Sequence, residues 1–166
     1  MLLLALDTST RYASVALCSQ EALFSEYTWF AGGNHSVDLL DHIQQMSAEQ
    51  KISLQEVDAI AVATGPGSFN GVRVALATAK ALSFSLKKPL VGISTLEIIA
   101  SQHRHSPVCA VLEAGRSELY AACYSFDELS TSSGEITYRP RQLGDYIVFV
   151  PKQLAIYLQE QAPTWF

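Results

Sequence analysis

The stretch of sequence that decides the fold is Gly65-Pro66-Gly67-Ser68-Phe69-Asn70-Gly71-Val72-Arg73-Val74-Ala75-Leu76-Ala77-Thr78-Ala79-Lys80-Ala81-Leu82. Three glycines and a proline within seven residues predict a tight turn, because glycine adopts positive φ angles that other residues avoid. The following residues predict a helix from Asn70 to Leu86 whose only charges are Arg73 and Lys80. A helix that is apolar all round must be covered all round. One face can lie on the chain's own sheet, and another subunit could supply the cover for the other face.

The size and composition of the chain restrict its class. With 166 residues, 49% hydrophobic and 16% charged, it can bury one large or two small cores. The apolar run Val74 to Leu86 is shorter than the roughly 20 residues of a membrane-spanning helix, and it contains Lys80. The opening residues 1–7 lack a basic region and reach a carboxylate at once, so they predict a buried first strand and not a signal peptide. We therefore expect a cytoplasmic protein with no membrane partner.

The cysteines and the net charge bear on cofactors and partners. Cys18, Cys109 and Cys123 are odd in number and lie in apolar, strand-like stretches, which favours small core residues in a reducing compartment. The absence of a C-x-x-C pair argues against a cysteine metal site. The formal net charge is −5 and no basic stripe is present, so nucleic acid should bind only weakly to this chain alone.

Alternating strand and helix patterns run through the first hundred residues. Three strands come first and form an antiparallel meander, followed by helices and strands in alternation. Capping boxes are predicted at Ser53 with Glu56 and at Ser94 with Glu97. The predicted elements are strands 2–6, 13–18, 22–29, 58–64 and 90–93, and helices 36–50, 70–86 and 94–102.

The pattern restarts after His103, where we place the boundary between a first lobe, 1–103, and a second lobe, 104–166. Strands are predicted at 108–113 and 118–126, followed by a polar stretch at 130–134. A short strand at 146–150 and a helix from Pro151 to Gln161 follow. The repeated pattern of strand, polar turn and strand predicts two lobes of related build.

This order of elements is similar to that of the actin, hexokinase and Hsp70 ATPase superfamily, an α/β, ribonuclease H-like fold with two lobes. Six motifs, in order, strongly resemble the TsaB (YeaZ) family of bacterial tRNA threonylcarbamoyladenosine biosynthesis proteins. The resemblance is dense to about Ala100 and fades after Tyr124. The family's second lobe is normally longer, so this chain has either a reduced second lobe or a missing C-terminal part. The motifs are Ala5-Leu6-Asp7-Thr8-Ser9-Thr10 with Ser14-Val15-Ala16-Leu17, His35-Ser36, Gly65-Pro66-Gly67-Ser68-Phe69-Asn70-Gly71-Val72-Arg73, Ala79-Lys80, and Val91-Gly92-Ile93-Ser94-Thr95-Leu96.

The resemblance implies a non-catalytic subunit that activates a TsaD-type catalytic subunit. That pair, with a TsaE-type ATPase, transfers threonylcarbamoyl to the adenosine beside the anticodon, so tRNA is reached only through the complex. The catalytic family carries a metal-binding His-x-x-x-His, in which two imidazoles one helical turn apart hold one ion. This chain has Thr95 and Ile99 at the matching positions, and neither side chain can replace imidazole. The resemblance therefore implies no resident metal, and it leaves a homodimer of the isolated chain possible.

Nucleotide binding has two interpretations. In the superfamily the turn after the first strand touches phosphates, so Asp7, Thr8 and Ser9 could hold a metal-bound ATP or ADP, and Gly65 with Gly67 could cradle an anion. The turn Asp7 to Arg11 lacks glycine, which hinders a close approach of phosphate to the backbone. The alternative, which we favour, is that these residues satisfy buried backbone groups and fit a helix against a sheet.

The partner surface is predicted on the two helices of the first lobe, because the family pairs through them. One apolar stripe lies on the first helix and one stripe of small residues on the second, and two such faces could meet as a four-helix bundle. The predicted interface residues are Leu39, Leu40, Ile43, Met46, Ala75, Thr78, Ala79 and Leu82.

An enzymatic role is the alternative, either ATP hydrolysis or peptidase activity. Ser68 lacks the G-x-S-x-G setting of a nucleophile, and no histidine and aspartate can be assigned to it. His35 could act as a base, although we interpret His35-Ser36 as the cap region of the following helix. We therefore expect no catalytic residues.

Overall fold

A computed structural model describes residues 1–32, 38–103, 107–130 and 136–165, without the side chains of 161–165. The chain divides into two compact units, Met1–Thr95 and Leu96–Phe166. This division differs from the lobe ranges 1–103 and 104–166 by little more than one short helix. That helix begins the second unit, because its Leu96 and Ala100 pack into the second core.

The first unit contains a mixed five-stranded sheet in the order β3-β2-β1-β4-β5. Strands β1, β2 and β3 form the predicted antiparallel meander, while β4 and β5 run parallel to β1. Parallel neighbours need crossover connections, and here a helix precedes each of them. The strands are β1 (Leu3–Asp7), β2 (Tyr12–Cys18), β3 (Leu23–Phe30), β4 (Ala59–Ala63) and β5 (Leu90–Ile93).

Two helices cover one face of this sheet. Helix α1 (Asp38–Gln50) lies over β2 and β3, and helix α2 (Phe69–Leu86) lies over β4 and β1. Both helices contribute to one core with alternate residues of β1 and β2, which is the period-two pattern expected of strands that bury one face in a core. All five residues of β4 are buried, so this strand lacks the alternation of β1 and β2.

Two of the serines between these elements cap helices, and one of the two predicted capping boxes is present. Ser53 and Glu56 form a capping box around a single 3-10 turn, Leu54–Glu56, as the spacing predicts. Ser68 caps α2 by accepting a hydrogen bond from the Gly71 N–H. The second predicted capping box is wrong, because the Ser94 hydroxyl is buried and makes no hydrogen bond there.

The second unit is built on an antiparallel sheet in the order β6-β7-β8. Its elements are α3 (Thr95–Ala100), whose first residue belongs to the first unit, β6 (Val108–Gly115), β7 (Glu118–Ser130), β8 (Ile136–Phe149) and α4 (Pro151–Trp165). Strand β8 is far longer than the predicted 146–150. Its Pro140 and Gly144 hide the strand pattern, but an edge strand tolerates both residues. Helix α4 begins at Pro151, as predicted, and extends beyond the expected end at Gln161.

The cysteines require a correction. The sequence favoured three core thiols, but Cys109 and Cys123 are joined by a disulfide across β6 and β7. The antiparallel register places the two residues directly opposite each other, and the sequence alone did not reveal that register. Cys18 is a free thiol, and partial burial raises its pKa.

Helices long and apolar enough to cross a membrane do not occur in the described part of the chain.

Candidate functional site

Two turns meet at the carboxyl ends of β1 and β4. The turn after β1 carries Thr8 and Ser9, which are 0% and 1% exposed, and the glycine-rich turn follows β4. The Ser68 N–H donates to the Ser9 carbonyl oxygen at 2.7 Å, and the Thr8 hydroxyl donates to the Gly71 carbonyl oxygen at 2.5 Å. The carboxyl ends of parallel strands are where α/β proteins commonly bind ligands, so this junction is the first candidate site.

Glycine is required at two positions of this junction. A Cβ atom on Gly67 would overlap the Ser9 carbonyl oxygen, and one on Gly71 would overlap the Thr8 carbonyl oxygen. Both obstacles are backbone atoms, which cannot move as a flexible side chain can. The two glycines therefore allow one turn of the protein to approach the other.

The polar groups of the junction are largely used within the protein. Asp7 Oδ1 accepts from the Ser9 N–H at 2.7 Å and from the Ser9 hydroxyl at 2.6 Å. The Gly65 carbonyl oxygen, in a residue with φ +94°, accepts from the Thr95 N–H at 2.8 Å. Carbonyl oxygens line Gly67 and Gly71, and they repel phosphate. This geometry favours the structural interpretation of Asp7, Thr8, Ser9, Gly65 and Gly67, and nucleotide binding stays an untested prediction.

The two residues that the resemblance aligns with the catalytic family's histidines, Thr95 and Ile99, lie in α3. Thr95 is 1% exposed, and its hydroxyl makes no hydrogen bond within the described structure. Ile99 packs against the core of the second unit. Among the residues that the structure describes, no group of three His, Cys, Asp or Glu side chains could hold a metal ion.

Most of the predicted interface residues are buried, which corrects that prediction. Ala75 and Ala79 are 0% exposed, Thr78 and Leu82 are partly buried, and only Leu40, at 48%, is exposed. The apolar stripes on α1 and α2 face the sheet, because burying them against β1, β2 and β4 forms the first unit's core. The residues that belong to this core and not to a surface are Leu39, Ile43, Met46, Ala75 and Ala79.

The outward sides of α1 and α2 carry a different set of apolar residues. Phe84 is 89% exposed, Phe69 is 74% exposed, and the guanidinium of Arg73 lies 5.1 Å from the centre of the Phe69 ring. We call Leu40, Phe69, Arg73, Ala77, Lys80 and Phe84 the outer helix surface; all six are exposed. Neither phenylalanine is among the interface residues predicted from the sequence, although their spacing from Ala77 places them on the α2 side opposite Ala75 and Ala79.

An aromatic cluster joins β3 to α1. The Trp29 indole stacks on the His42 imidazole, with 4.1 Å between ring centres and 9° between planes. The Tyr27 hydroxyl donates a short hydrogen bond to Glu49, which also accepts from the Gln45 amide at 2.9 Å. This pairing raises the pKa of Tyr27 and lowers the pKa of Glu49. The cluster fixes α1 on the sheet, and the sequence offered no signal for it, since its members lie far apart in the chain.

The predicted roles of His35 and Ser36 stay predictions, because both residues lie outside the described residues. Ser68, which was considered as a nucleophile, serves as the helix cap described above.

Comparison with known proteins links the chain to two related groups. The family model for TsaD, tRNA N6-adenosine threonylcarbamoyltransferase, matches residues 29–159. The TsaB proteins of Bacillus subtilis and Escherichia coli are both 32% identical, over 76% and 82% of this chain. The TsaB protein of Haemophilus influenzae is 33% identical over 95% of this chain and 67% of its own length.

Solved structures agree with these matches. The YeaZ protein of Pseudomonas aeruginosa is 33% identical and superimposes with a TM-score of 0.75, over 90% of this chain and 68% of that protein. The chain spans only 56% of the Bacillus subtilis relative and 61% of the Escherichia coli relative.

The strand order, the flanking helices and these matches define an α/β protein of the actin-like ATPase superfamily, with the ribonuclease H-like fold. Within that superfamily, sequence identity and structural likeness point to the same group. The chain belongs to the TsaB (YeaZ) family.

Proposed function

We propose that this protein is a non-catalytic subunit in the biosynthesis of tRNA threonylcarbamoyladenosine. It pairs with a TsaD-type catalytic subunit and activates it, so that threonylcarbamoyl is transferred to the adenosine beside the anticodon. The names of its relatives support the pathway, and the family model supports common ancestry with the catalytic subunit.

The observation that carries the proposal is the outer helix surface. Monomeric proteins seldom leave two phenylalanines of one helix largely in water, and exposed apolar groups mark interaction sites. Aromatic and arginine side chains are also the residues that dominate interface energies, and Phe69 and Arg73 are already in contact. A partner with the same fold could present an equivalent pair of helices.

The charges on the two helices favour such a pairing. The exposed charges of α1 are the acidic Asp41 and Glu49, whereas those of α2 are Arg73 and Lys80. If two similar subunits meet so that α1 of one faces α2 of the other, opposite charges come together at the rim. Complementary charges contribute mainly to specificity and to the association rate.

The lack of catalysis is supported by α3. Threonine and isoleucine stand where the catalytic family has its two metal-binding histidines, and neither offers an imidazole nitrogen. The resemblance to the TsaB family and the acidic net charge support the proposal that the TsaE-type ATPase and tRNA act with the assembled complex. Without its catalytic partner, the protein is proposed to form a homodimer through the same surface.

The test is co-purification of this protein with a TsaD-type subunit from the same cell. We expect Phe84→Glu to abolish the complex, because the substitution places an unpaired charge within the proposed interface. Phe24→Glu is the matched control, since Phe24 is 43% exposed and lies on β3, outside the outer helix surface. Circular dichroism should show that both variants stay folded.

Two results would contradict this proposal. One is a folded Phe84→Glu variant that still binds the catalytic subunit with unchanged affinity. The other is hydrolysis of ATP or peptide by the purified protein alone at an appreciable rate, which would favour the enzymatic alternative.

A further inference from the structure

The disulfide of the second unit lies within a single hairpin. Cys109 on β6 and Cys123 on β7 are directly opposite each other in the antiparallel register, and the next pair along the strands is Ala110 with Ala122. Residues directly opposite each other in an antiparallel pair are close neighbours on the same face of the sheet. The pairing of the two strands therefore brings the two sulfur atoms together, and that pairing does not require the covalent bond.

The short span of this disulfide bears on its role. The two cysteines are only 14 positions apart in the chain. A disulfide stabilises a protein chiefly by restricting the unfolded chain, and the restriction grows with the length of the loop that the bond closes. A bond within one hairpin therefore adds a smaller constraint than a bond between distant segments. The same position suits a bond that opens and closes, because the strands keep both thiols within reach.

The two cysteines differ in their access to solvent. Cys123 is 2% exposed and lies on β7, the central strand between β6 and β8. Cys109 is partly exposed. Exchange between a disulfide and a thiol requires an external thiolate to reach one sulfur atom of the bond. Cys109 is therefore the residue at which such exchange can begin.

We propose that Cys109 and Cys123 form a reversible thiol–disulfide pair that exchanges with low-molecular-weight thiols through Cys109. The reduced form carries the two thiols that the sequence predicts, and the oxidised form carries the disulfide of the structure. Redox-responsive cysteines commonly combine an accessible thiol with a second cysteine that resolves the mixed disulfide. Cys123 has this resolving role. The inference goes beyond the proposed function and does not depend on it.

Reduction by glutathione takes place in two exchanges. A glutathione thiolate attacks the Cys109 sulfur, which forms a mixed disulfide there and releases Cys123 as a thiolate that takes up a proton. A second glutathione thiolate attacks the glutathione sulfur of the mixed disulfide, which releases Cys109 and glutathione disulfide. The protein gains two electrons and two protons, and two glutathione molecules are oxidised to one disulfide. Oxidation follows the same steps in reverse, with Cys123 attacking the Cys109 sulfur.

The test uses the full chain carrying Cys18→Ala, which removes the free thiol of the first unit. Equilibration in buffers of glutathione and glutathione disulfide should convert the protein between two forms that differ by two thiols, counted by alkylation. Circular dichroism should be the same for both forms. Hydrogen exchange at the amides shared by β6 and β7 should be at least tenfold slower in the oxidised form, because the bond opposes separation of the strands. The β1 amides should not change.

Two matched variants of that protein separate the roles of the cysteines. Cys123→Ala leaves Cys109 alone, and we expect it to acquire one glutathione per chain from glutathione disulfide. Cys109→Ala leaves Cys123 alone, and its labelling should be at least tenfold slower, because burial restricts access to the thiol. Circular dichroism should show that both variants stay folded.

A second measurement avoids substitutions at the pair. The mixed disulfide that forms during partial reduction is trapped with acid in the Cys18→Ala protein, and peptide mapping should find glutathione on Cys109. The proposal is overturned if the folded protein keeps one redox form across all the glutathione buffers, or if glutathione is found on Cys123 as readily as on Cys109. It is also overturned if the conversion occurs only when the protein unfolds.

Discussion

The Thr8 hydroxyl donates a hydrogen bond to the Gly71 carbonyl oxygen, and the Thr8 carbonyl oxygen fills the space that a Cβ of residue 71 would need. Two segments 63 residues apart in the chain are thereby held in direct backbone contact. The motifs that first drew attention to the sequence, the Asp7 to Ser9 turn and the glycine-rich turn, thus belong to one structural joint. Its integrity determines the position of α2.

Gly71→Ala tests this joint. Alanine usually stabilises a helix relative to glycine by about 1 kcal/mol, but here its methyl group would overlap a backbone oxygen. The steric overlap should outweigh the gain in helix propensity, because backbone atoms cannot move aside. We expect a net loss of about 2 to 3 kcal/mol of unfolding free energy. Urea denaturation measures it. Asn70→Ala, at an exposed neighbouring position, should change stability by less than about 0.5 kcal/mol.

Charged substitutions on α1 and α2 should distinguish positions in the core from positions on the surface. Ala79→Glu buries a carboxylate in the first unit's core, where no counter-charge is present, and should unfold the protein or cost several kcal/mol. Leu40→Glu, on the outer helix surface, should leave the thermal midpoint nearly unchanged and weaken binding to the TsaD-type subunit. A folded, stable Ala79→Glu variant would show that α2 is oriented differently.

The pairing of Tyr27 with Glu49 should make stability depend on pH. The pKa of Glu49 is lowered, so its contribution is present above the ordinary glutamate pKa of 4.5 and is lost as the pH falls through the folded value. The pKa of Tyr27 is raised, so its contribution is present below 10.0 and is lost as the pH rises through the folded value.

Tyr27→Phe is the corresponding experiment. It should lower the thermal midpoint slightly at pH 7, and the difference from the unmodified protein should shrink in strong acid and in strong alkali. Thr28→Val, at an exposed position on the same strand, is the control. A difference that stays constant across the pH range would mean that the hydroxyl contributes only through packing.

Binding to tRNA should be weak for the isolated protein. The net charge is −5, and phosphate contacts supply most of the affinity for nucleic acid. Filter binding at physiological salt should give a dissociation constant at the weak end of the range typical of non-specific binding, about 10⁻⁴ M. Tight binding that resists added salt would contradict the assignment of tRNA recognition to the complex.

The sequence predicted the first unit well because its signals are local. The first three strands, the capping box at Ser53, and the turn and helix after β4 all depend on residues a few positions apart, and the structure confirms them. The order of the sequence motifs was likewise sufficient to identify the family. The second unit was predicted less well, since Pro140 and Gly144 disguise β8, an edge strand whose formation depends on pairing with β7.

The buried and exposed sides of α2 illustrate the remaining difficulty. Both sides carry apolar residues, so periodicity did not reveal that Ala75 and Ala79 face the sheet while Phe84 faces water. The contact between Cys109 and Cys123 was also not predicted, because it depends on the exact register of the hairpin formed by β6 and β7.

The sequence by itself determined the order of the elements, the presence of a tight turn after β4, and the family, because each depends on residues that are neighbours in the chain or on a pattern of motifs. Only the tertiary structure decided which apolar stripe forms the core, which turn the glycines approach, and which cysteines lie opposite each other. Those properties depend on contacts between segments that are not neighbours in the chain, and the closest packing of the whole unit selects among the arrangements that local signals allow.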